Sequence, residues 1–246
     1  EKEMEYAENH LFGIEINPLV AKVAKMRMIL EDDGYSGIVN TNSLANLHAI
    51  QKEFSKSTNL KEVKSTFDVI LTNPPFGSQG KIASESVLRD FSLGYKWSND
   101  SRGRLVATNQ LQNGQVPEIL FIERCLELLK DGGRLAIVLP NGDFENSSLD
   151  YVREFIKSKA KILGVVALPP ETFIPHGTGV KASLLFCQKF SPVELESQKK
   201  KDYSIFFAKI VKVGYEGNKN GTVIYKKDSQ GKIIENEVGE PIVNED

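Results

Sequence analysis

Short apolar runs alternate with helix-like segments along most of this chain, and this alternation restricts the fold more than any other feature. Runs of about four to eight apolar residues between turn residues are typical of buried strands. The predicted strands are 11–16, GIVNTNSL, 68–72, RLAIVLPNG, ILGVVALPP and ASLLFCQKF. Strands that alternate with helices favour a mostly parallel sheet with helices on both faces. We therefore expect an α/β fold.

Proline and glycine mark the helix boundaries. Asn17 and Pro18 open one predicted helix, with asparagine as the N-cap and proline at the first helical position. Pro117 opens another, PEILFIERCLELLKDGG, which Gly132 and Gly133 should end as a left-handed cap. The other helical patterns cover 50–64 and 149–159.

Composition limits the function classes. Lys and Arg number 31 against 33 Asp and Glu, so a protein that grips nucleic acid mainly by itself is disfavoured. Cys125 and Cys187 are isolated and are interpreted as buried thiols of a cytoplasmic protein. His10, His48 and His176 share no metal-ligand spacing, so no metal site is predicted. No apolar run approaches the roughly 18 residues of a membrane span, and we expect a soluble chain.

The segment FDVILTNPPFGSQG places a strand directly before the Asn-Pro-Pro-Phe turn, which comprises Asn73, Pro74, Pro75 and Phe76. Neither proline can donate an N–H to a sheet, and Pro75 holds Pro74 in an extended conformation. The Asn73 side-chain oxygen and the Pro74 carbonyl can therefore act as two fixed acceptors for an NH₂ group. Phe76 offers a face on which a flat heterocycle can stack. The turn is suited to orienting an exocyclic amine without a strong base.

Three polar features lie near or just after the ends of predicted strands, at the edge where doubly wound sheets bind ligands. They are Glu15, the pair Asn42 and Ser43, and the Asn-Pro-Pro-Phe turn. Each has a structural alternative: Glu15 as part of the next helix cap, Asn42 as an ordinary turn residue, and the Asn-Pro-Pro-Phe turn as a strand terminator. Their joint placement favours a binding site.

These residues also carry a family resemblance. VILTNPPF resembles the catalytic motif of S-adenosylmethionine-dependent amino-methyltransferases, in the form typical of adenine-N6 DNA methylases. FGIEINPLVAKVAKMRMIL resembles the ribose-binding segment of that family. PEILFIERCLELLKDGGRLAIVLPNG and FIPHGTGVKASLLFCQK resemble later segments of the modification subunit of type I restriction–modification systems. The resemblance covers roughly 6–189.

The resemblance implies a set of residues that bind the cofactor. Glu15, with Ile16 beside it, would accept hydrogen bonds from the ribose hydroxyls of S-adenosylmethionine. Asn42 and Ser43 would lie near the adenine of the cofactor, where many relatives have an acidic residue instead of Asn42. Asn73 would border the cofactor as well.

The resemblance also implies a target side. Asn73 and Pro74 would bind the N6 amino group of a flipped adenine, Pro75 would keep the turn rigid, and Phe76 would stack on the base. The amine nitrogen would then attack the methyl group of the cofactor in line. DNA and the specificity and restriction subunits of a type I system are the implied partners, together with a homodimer of modification subunits.

One family feature is missing. A glycine-rich loop of the kind Asp-Pro-x-x-Gly-x-Gly should precede the Glu15 strand, but the ten residues EKEMEYAENH before Leu11 contain no glycine. We therefore expect an incomplete Rossmann-like S-adenosylmethionine-dependent methyltransferase fold, without its first strand and glycine-rich loop. Such a fragment should bind the cofactor poorly and expose strand edges to partners or aggregation.

The expected organisation is a partial catalytic domain at 1–190 and a charged linker with a β-rich extension at 191–246. Within the first, 77–115 has no clear period and is predicted to be a long loop on the target side. Its basic and aromatic residues could contact an opened DNA strand, or the loop could have no special role. These residues are Arg89, Lys96, Trp97, Arg102 and Arg104.

In the extension, TVIYKKDSQGKIIENE predicts a β-hairpin with its turn from Asp228 to Gly231. The run Lys199–Lys201 is interpreted as a solvated linker rather than a DNA-binding patch, and no internal repeat is recognised. Two other functions remain open: methylation of another planar amine, such as a protein glutamine or an RNA base, and a non-catalytic scaffold for a specificity subunit.

Overall fold

The computed structural model describes residues 2–31, 37–77, 80–197 and 202–245. The run Lys199–Lys201 lies outside these ranges. The elements in chain order are α1 (Lys2–His10), β1 (Gly13–Glu15), α2 (Pro18–Leu30), β2 (Ile38–Asn40), α3 (Leu47–Phe54), β3 (Phe67–Thr72), α4 (Glu85–Leu88), β4 (Tyr95–Asn99), β5 (Leu105–Leu111), α5 (Pro117–Leu128), β6 (Leu129–Pro140), α6 (Asn141–Glu145), α7 (Asp150–Lys159), β7 (Ala160–Ala167), β8 (Ala182–Lys189), α8 (Pro192–Ser197) and β9 (Phe206–Lys209). Short 3₁₀ helices span Ser92–Gly94, Ser147–Leu149 and Pro170–His176.

The chain forms two compact units. The first unit comprises Glu1–Ile70 and Gly77–Gly133, and the second comprises Leu71–Phe76 and Arg134–Asp246. The predicted boundary between 190 and 191 stays a prediction. The second unit includes β9, which lies beyond that boundary and pairs in parallel with β7.

In the first unit, β1 and β2 form a parallel pair in which Glu15 lies opposite Asn40. The pair covers an apolar core in which Phe12 meets Phe54 and Phe67 edge-on, with ring centroids 5.8 and 5.6 Å apart. Edge-on aromatic contacts of this kind add to the stabilisation from burial. The buried members of the core are Val39, Ile50, Phe54, Val63 and Leu128.

Local hydrogen bonds explain where the first helices begin and end. Asn17 caps α2 as predicted, because its Oδ1 accepts from the N–H groups of Leu19 at 2.9 Å and Val20 at 3.3 Å. The predicted helix at 50–64 is wrong in extent, since α3 ends at Phe54. Thr58 turns the chain there, with its N–H and its hydroxyl both donating to the Phe54 carbonyl at 2.9 Å.

Residues 80–115 form regular secondary structure, although their sequence has no clear helix or strand periodicity and was predicted to be a long loop. α4 and the 3₁₀ helix Ser92–Gly94 lead into an antiparallel β4–β5 hairpin. At its turn, Asp100 Oδ1 accepts from the N–H groups of Arg102 at 2.8 Å and Arg104 at 2.9 Å, and Gly103 has a φ of 73°. A register shift between Tyr95 and Trp97 disrupts the alternation that would have revealed β4.

The helix that begins at Pro117 is shorter than predicted. α5 ends at Leu128, because Leu129 is extended (φ −69°, ψ 140°) and fully buried. Gly132 has the expected left-handed φ of 77°, but it lies inside β6 rather than at the helix cap.

The five-stranded sheet has the order β3-β6-β8-β7-β9. β8 runs antiparallel to both β6 and β7, so β6, β7 and β9 share one direction and the fold is α/β, as predicted. The β1–β2 pair is a separate sheet, and β3 is the outermost strand of the larger one. Val69 and Leu71, which lie on one face of β3, are 58% and 76% exposed.

Residues 213–245, here called the C-terminal ribbon, form antiparallel bridges with one another. The predicted turn from Asp228 to Gly231 is confirmed by the bridge between Lys227 and Ile233. The same turn chemistry recurs three times in the ribbon, at unequal spacing. In each case an Asn or Asp oxygen accepts two backbone N–H groups, and a glycine with positive φ follows: Asn218 with Gly221, Asp228 with Gly231, and Asn236 with Gly239.

Candidate functional site

The Asn-Pro-Pro-Phe turn directly follows β3. Asn73 and Pro75 are exposed, whereas Pro74 and Phe76 are buried. Within the described part of the chain, no hydrogen bond involves the Asn73 side chain. Because the prolines restrict the backbone, this amide is presented on a stiff support and is available to a ligand.

The ring of Phe76 packs against a second aromatic ring. Phe76 is 9% exposed and meets Phe173 edge-on, with ring centroids 5.7 Å apart and planes at 80°. Phe173 belongs to the 3₁₀ helix Pro170–His176, and the Tyr215 hydroxyl of the C-terminal ribbon donates to the Thr172 carbonyl at 2.6 Å. The aromatic tip of the turn therefore has a fixed orientation.

A buried carboxyl group holds the residue after the turn. The Gly77 N–H donates to Glu118 Oε1 at 2.9 Å, and Glu118 is only 4% exposed. Burial raises the pKa of Glu118, and the bond from Gly77 partly opposes this shift. Glu118 could not be recognised from the sequence, since an acidic residue in the first turn of a helix is common and indicates only helix stabilisation.

Four of the predicted cofactor residues, Glu15, Ile16, Asn42 and Ser43, lie at or just after neighbouring strand ends in the first unit, whereas Asn73 belongs to the second unit. Asn40, which no sequence motif marks, links these strand ends by donating from Nδ2 to the carbonyls of Glu15 at 2.8 Å and Ile16 at 2.9 Å. The Thr41 N–H also donates to the Glu15 carbonyl, at 3.1 Å. These bonds bring Glu15 and Ile16 next to the loop that begins with Asn42.

The carboxylate of Glu15 also has a local partner. Its Oε1 accepts from the Asn17 N–H at 2.6 Å, which is the capping interaction proposed as the structural alternative. One carboxylate oxygen is thus used by the chain itself. Capping and ribose binding are compatible, because a carboxylate has two oxygens and about four acceptor positions.

Asn42 uses its side-chain oxygen in its own turn. Oδ1 accepts from the Leu44 N–H at 2.9 Å, while the Asn42 carbonyl accepts from Ala45 at 3.0 Å. Asn42 is exposed and Ser43 is half-buried. An amide held in this way presents its NH₂ group, a donor, to any ligand, whereas the acidic residue of relatives would present an acceptor.

Partners within the chain hold several basic residues of 77–115. Arg104 makes a two-point contact with Asp100 Oδ2, at 3.0 Å from Nε and 2.8 Å from a terminal nitrogen. The hydrogen bond from the Arg104 backbone N–H, followed by this side-chain contact, lowers the pKa of Asp100. Arg89 pairs with Glu85 at 2.9 Å, and Trp97 Nε1 donates to the Ser92 carbonyl at 3.1 Å. Lys96 and Arg102 are exposed.

Buried polar residues of α5 organise the same segment. Glu123 accepts from the N–H groups of Ser92 and Leu93, both at 2.8 Å. Arg124, 2% exposed, lies 4.7 Å from the ring centroid of Phe91 and donates to the Ala45 carbonyl at 2.9 Å. The segment therefore has a defined anchorage rather than being a passive connection.

Two cavities lie away from these residues. One, of about 360 Å³, is lined by Glu8, Asn9 and 55–59. The other, of about 240 Å³, is lined by Glu171, residues 211–217, Ile224 and Asn244. In the described ranges, no three His, Cys, Asp or Glu residues are placed to hold a metal ion, and no helix could cross a membrane.

Solved structures define the class of fold. A Listeria monocytogenes protein assigned to the class I S-adenosylmethionine-dependent methyltransferases superposes with a TM-score of 0.57 at 20% identity, covering 81% of this chain and 49% of its own. A chain from a type I restriction–modification system superposes with a TM-score of 0.59 at 20% identity, covering 91% of this chain and 38% of its own. The fold is thus that of S-adenosylmethionine-dependent methyltransferases.

Residues 1–235 match the family model for N-6 DNA methylases, and the chain belongs to that family. It is similar to the EcoEI type I methylase subunit of Escherichia coli, with 28% identity over 52% of this chain and 22% of the relative. It is also similar to the RM.BcgI restriction enzyme and methyltransferase of Heyndrickxia coagulans, with 26% identity over 72% of this chain and 22% of the relative. The EcoKI methylase subunit of Escherichia coli K12 is 27% identical over 72% of this chain and 28% of its own length. The chain spans only about a quarter of each of these relatives.

Proposed function

We propose that this chain forms part of an adenine-N6 DNA methyltransferase, the modification subunit of a type I restriction–modification system. The observation that carries the proposal is the Asn-Pro-Pro-Phe turn of an N-6 DNA methylase family member, in which the Asn73 amide is exposed and has no hydrogen bond to any described residue. A structural strand terminator would not need a free amide on a support of two prolines.

Asn73 and Pro74 would orient the target amine. The Asn73 side-chain oxygen and the Pro74 carbonyl would accept the two hydrogens of the adenine N6 amino group. The nitrogen lone pair would then point at the methyl group, a C–N bond would form as the S–C bond breaks, and a proton would leave the amine for solvent. Most of the rate enhancement would come from positioning.

Phe76 would border the flipped adenine with the small part of its ring that is exposed, 9%. Its edge-on contact with Phe173 keeps the ring in one orientation, so little ordering would remain to occur when the base enters. The bound base would be restrained both at its amine and at its ring.

S-adenosylmethionine would supply the electrophilic methyl group. Glu15 fits a role in holding the ribose hydroxyls through the oxygen that Asn17 does not use. Asn42, whose oxygen is bonded to Leu44, would donate from its NH₂ group to a ring nitrogen of the cofactor adenine rather than accept from its amino group. Ile16 and Ser43 would flank these contacts, and weak cofactor binding by this chain alone stays a prediction.

The partners we propose are DNA, a specificity subunit, a restriction subunit and a second modification subunit, all in the cytoplasm. The names of the curated relatives support this proposal, since two of the three described above are type I methylase subunits. The net charge of −2 also fits a protein that shares its grip on DNA with a partner.

The test measures transfer of labelled methyl groups from S-adenosylmethionine to DNA by the full-length product of the gene that encodes this chain. Asn73→Ala should lower the rate at least about 100-fold, because the amine loses one of its two fixed acceptors. Asn59→Ala, at another exposed asparagine, is the matched control and should leave the rate unchanged.

Equal rates for Asn73→Ala and the parent protein would overturn the proposed role of the turn. Label recovered in RNA or in protein glutamine, rather than in N6-methyladenine of DNA, would replace the proposed substrate. A parent protein that binds a specificity subunit but transfers no methyl group to any of the three would be the scaffold.

A further inference from the structure

We infer that Glu118 is a positioning residue for the Asn-Pro-Pro-Phe turn, acting through the backbone N–H of Gly77. The inference rests on the proposed function, because it concerns how the turn that would bind the target amine is held. Glu118 itself would touch neither the substrate nor the cofactor.

The turn has few points at which a hydrogen bond can hold its backbone. Pro74 and Pro75 have no N–H, so the available donors are those of Asn73, Phe76 and the next residue, Gly77. The Gly77 N–H is the one that Glu118 Oε1 accepts, at 2.9 Å. The peptide group that contains this N–H also contains the Phe76 carbonyl, so the bond fixes the ψ angle of Phe76.

Close packing at Gly77 makes the contact specific. A Cβ at position 77 would lie 2.5 Å from Val116 Cγ1 and 3.2 Å from Glu118 Oε1. Only glycine allows the chain to approach the start of α5 closely enough for this bond. Gly77 and Glu118 therefore act as a matched pair that secures the exit of the turn.

Burial of the Glu118 carboxyl group costs stability. Glu118 is 4% exposed, and its second oxygen, Oε2, has no hydrogen-bond partner among the described residues. A buried polar atom without a partner is destabilising, and a shorter apolar side chain would avoid the loss. Packing alone therefore does not explain a carboxyl group at position 118.

Glu123 on the same helix provides the internal comparison. It is equally buried, at 6% exposure, and it also accepts backbone N–H groups from the segment after the turn. Both of its oxygens are bonded, and its partners are Ser92 and Leu93, far along the chain from Phe76. Glu123 thus shares the burial and the chemistry of Glu118 but not the connection to the turn.

The experiment compares Glu118→Ala, Glu118→Gln and Glu123→Gln in the full-length gene product. Methyl-transfer kcat and the KM for S-adenosylmethionine are measured separately. Glu118→Ala should lower kcat about tenfold or more and leave that KM within twofold, because the target amine rather than the cofactor is misplaced. Glu118→Gln should recover most of kcat, since its amide oxygen can still accept from Gly77, and Glu123→Gln should retain it.

Hydrogen exchange of the Gly77 amide in the parent protein provides a second readout that needs no variant. The amide should be protected at least tenfold over an unstructured peptide, and exchange at the unstructured rate would overturn the inference even if Glu118→Ala does not fold. A folded Glu118→Ala protein with kcat within twofold of the parent would overturn it as well. In that case loss of transfer in Asn73→Ala would still support the proposed function, so the two failures are distinguishable.

Discussion

The rings of Phe76 and Phe173 meet edge-on, with centroids 5.7 Å apart and planes at 80°. This contact connects the tip of the Asn-Pro-Pro-Phe turn to a 3₁₀ helix almost a hundred residues further along the chain. Because Phe76 is 9% exposed, the contact is largely shielded from water. The turn is therefore supported by tertiary packing as well as by its own prolines.

A double-mutant cycle should detect this support. Phe76→Leu and Phe173→Leu each keep an apolar side chain but remove one of the two rings. We expect a coupling energy of about 1 kcal/mol in the free energy of unfolding, the usual strength of such an aromatic pair beyond its burial. Additive effects of the two substitutions in urea denaturation would contradict the contact.

Arg124 should contribute strongly to stability. Its guanidinium group is buried, pairs with Glu127 at 2.8 Å and lies over the ring of Phe91. Arg124→Met should lower the free energy of unfolding by roughly 3 kcal/mol, because it leaves Glu127 and the Ala45 carbonyl without their donors. Chemical denaturation at constant pH measures the change.

Arg89→Met is the control for the loss of a charge. Arg89 and Glu85 form an ion pair with side chains 61% and 71% exposed, so the substitution should cost less than about 1 kcal/mol. Similar losses for Arg124→Met and Arg89→Met would show that Arg124 has no special structural role.

The strands and the Asn-Pro-Pro-Phe turn were predictable because their signals are local. The apolar run before Asn73 predicts a strand, and the structure has β3 there. Asparagine and proline at positions 17 and 18 predict the start of a helix, and α2 begins there. The β4–β5 hairpin was not predictable in this way. Its register shift and its anchorage on Glu123 depend on contacts distant in sequence.

The residues proposed for the site differ in the same way in how far they could be predicted from the sequence. Asn73 was identified from its neighbours, whereas Glu118 lies 41 positions from its partner Gly77 and has no local motif. Asn42 was identified as a candidate from the sequence, but its hydrogen-bonding role was not. Its residue type suggested an acceptor for the cofactor, but only the structure shows that Leu44 occupies the oxygen.

The Tyr215 hydroxyl should stabilise the attachment of the C-terminal ribbon to the 3₁₀ helix that carries Phe173. Tyr215→Phe removes its bond to the Thr172 carbonyl, which is 2.6 Å long, and should cost about 1 kcal/mol of unfolding free energy. Tyr225→Phe, at a half-buried tyrosine of the same ribbon, is the control and should be close to neutral. Equal effects in thermal unfolding would exclude a specific contribution from the Thr172 bond.

The burial of Glu118 predicts a pH dependence of stability with a definite sign. Desolvation raises the pKa of Glu118 in the folded protein above the ordinary value of 4.5, so the folded state binds more protons than the unfolded state between these two values. Stability from this residue is therefore fully present below pH 4.5 and declines as the pH rises through the folded pKa. Glu118→Gln cannot ionise, and its stability relative to the parent protein should increase over that window and then level off.

Glu127 also has a raised pKa, caused first by burial, but it is present in both proteins and largely cancels in the difference. Unfolding free energies of the two proteins from pH 4 to pH 8 provide the measurement, and a difference that is constant or changes in the opposite direction would contradict the buried carboxyl group.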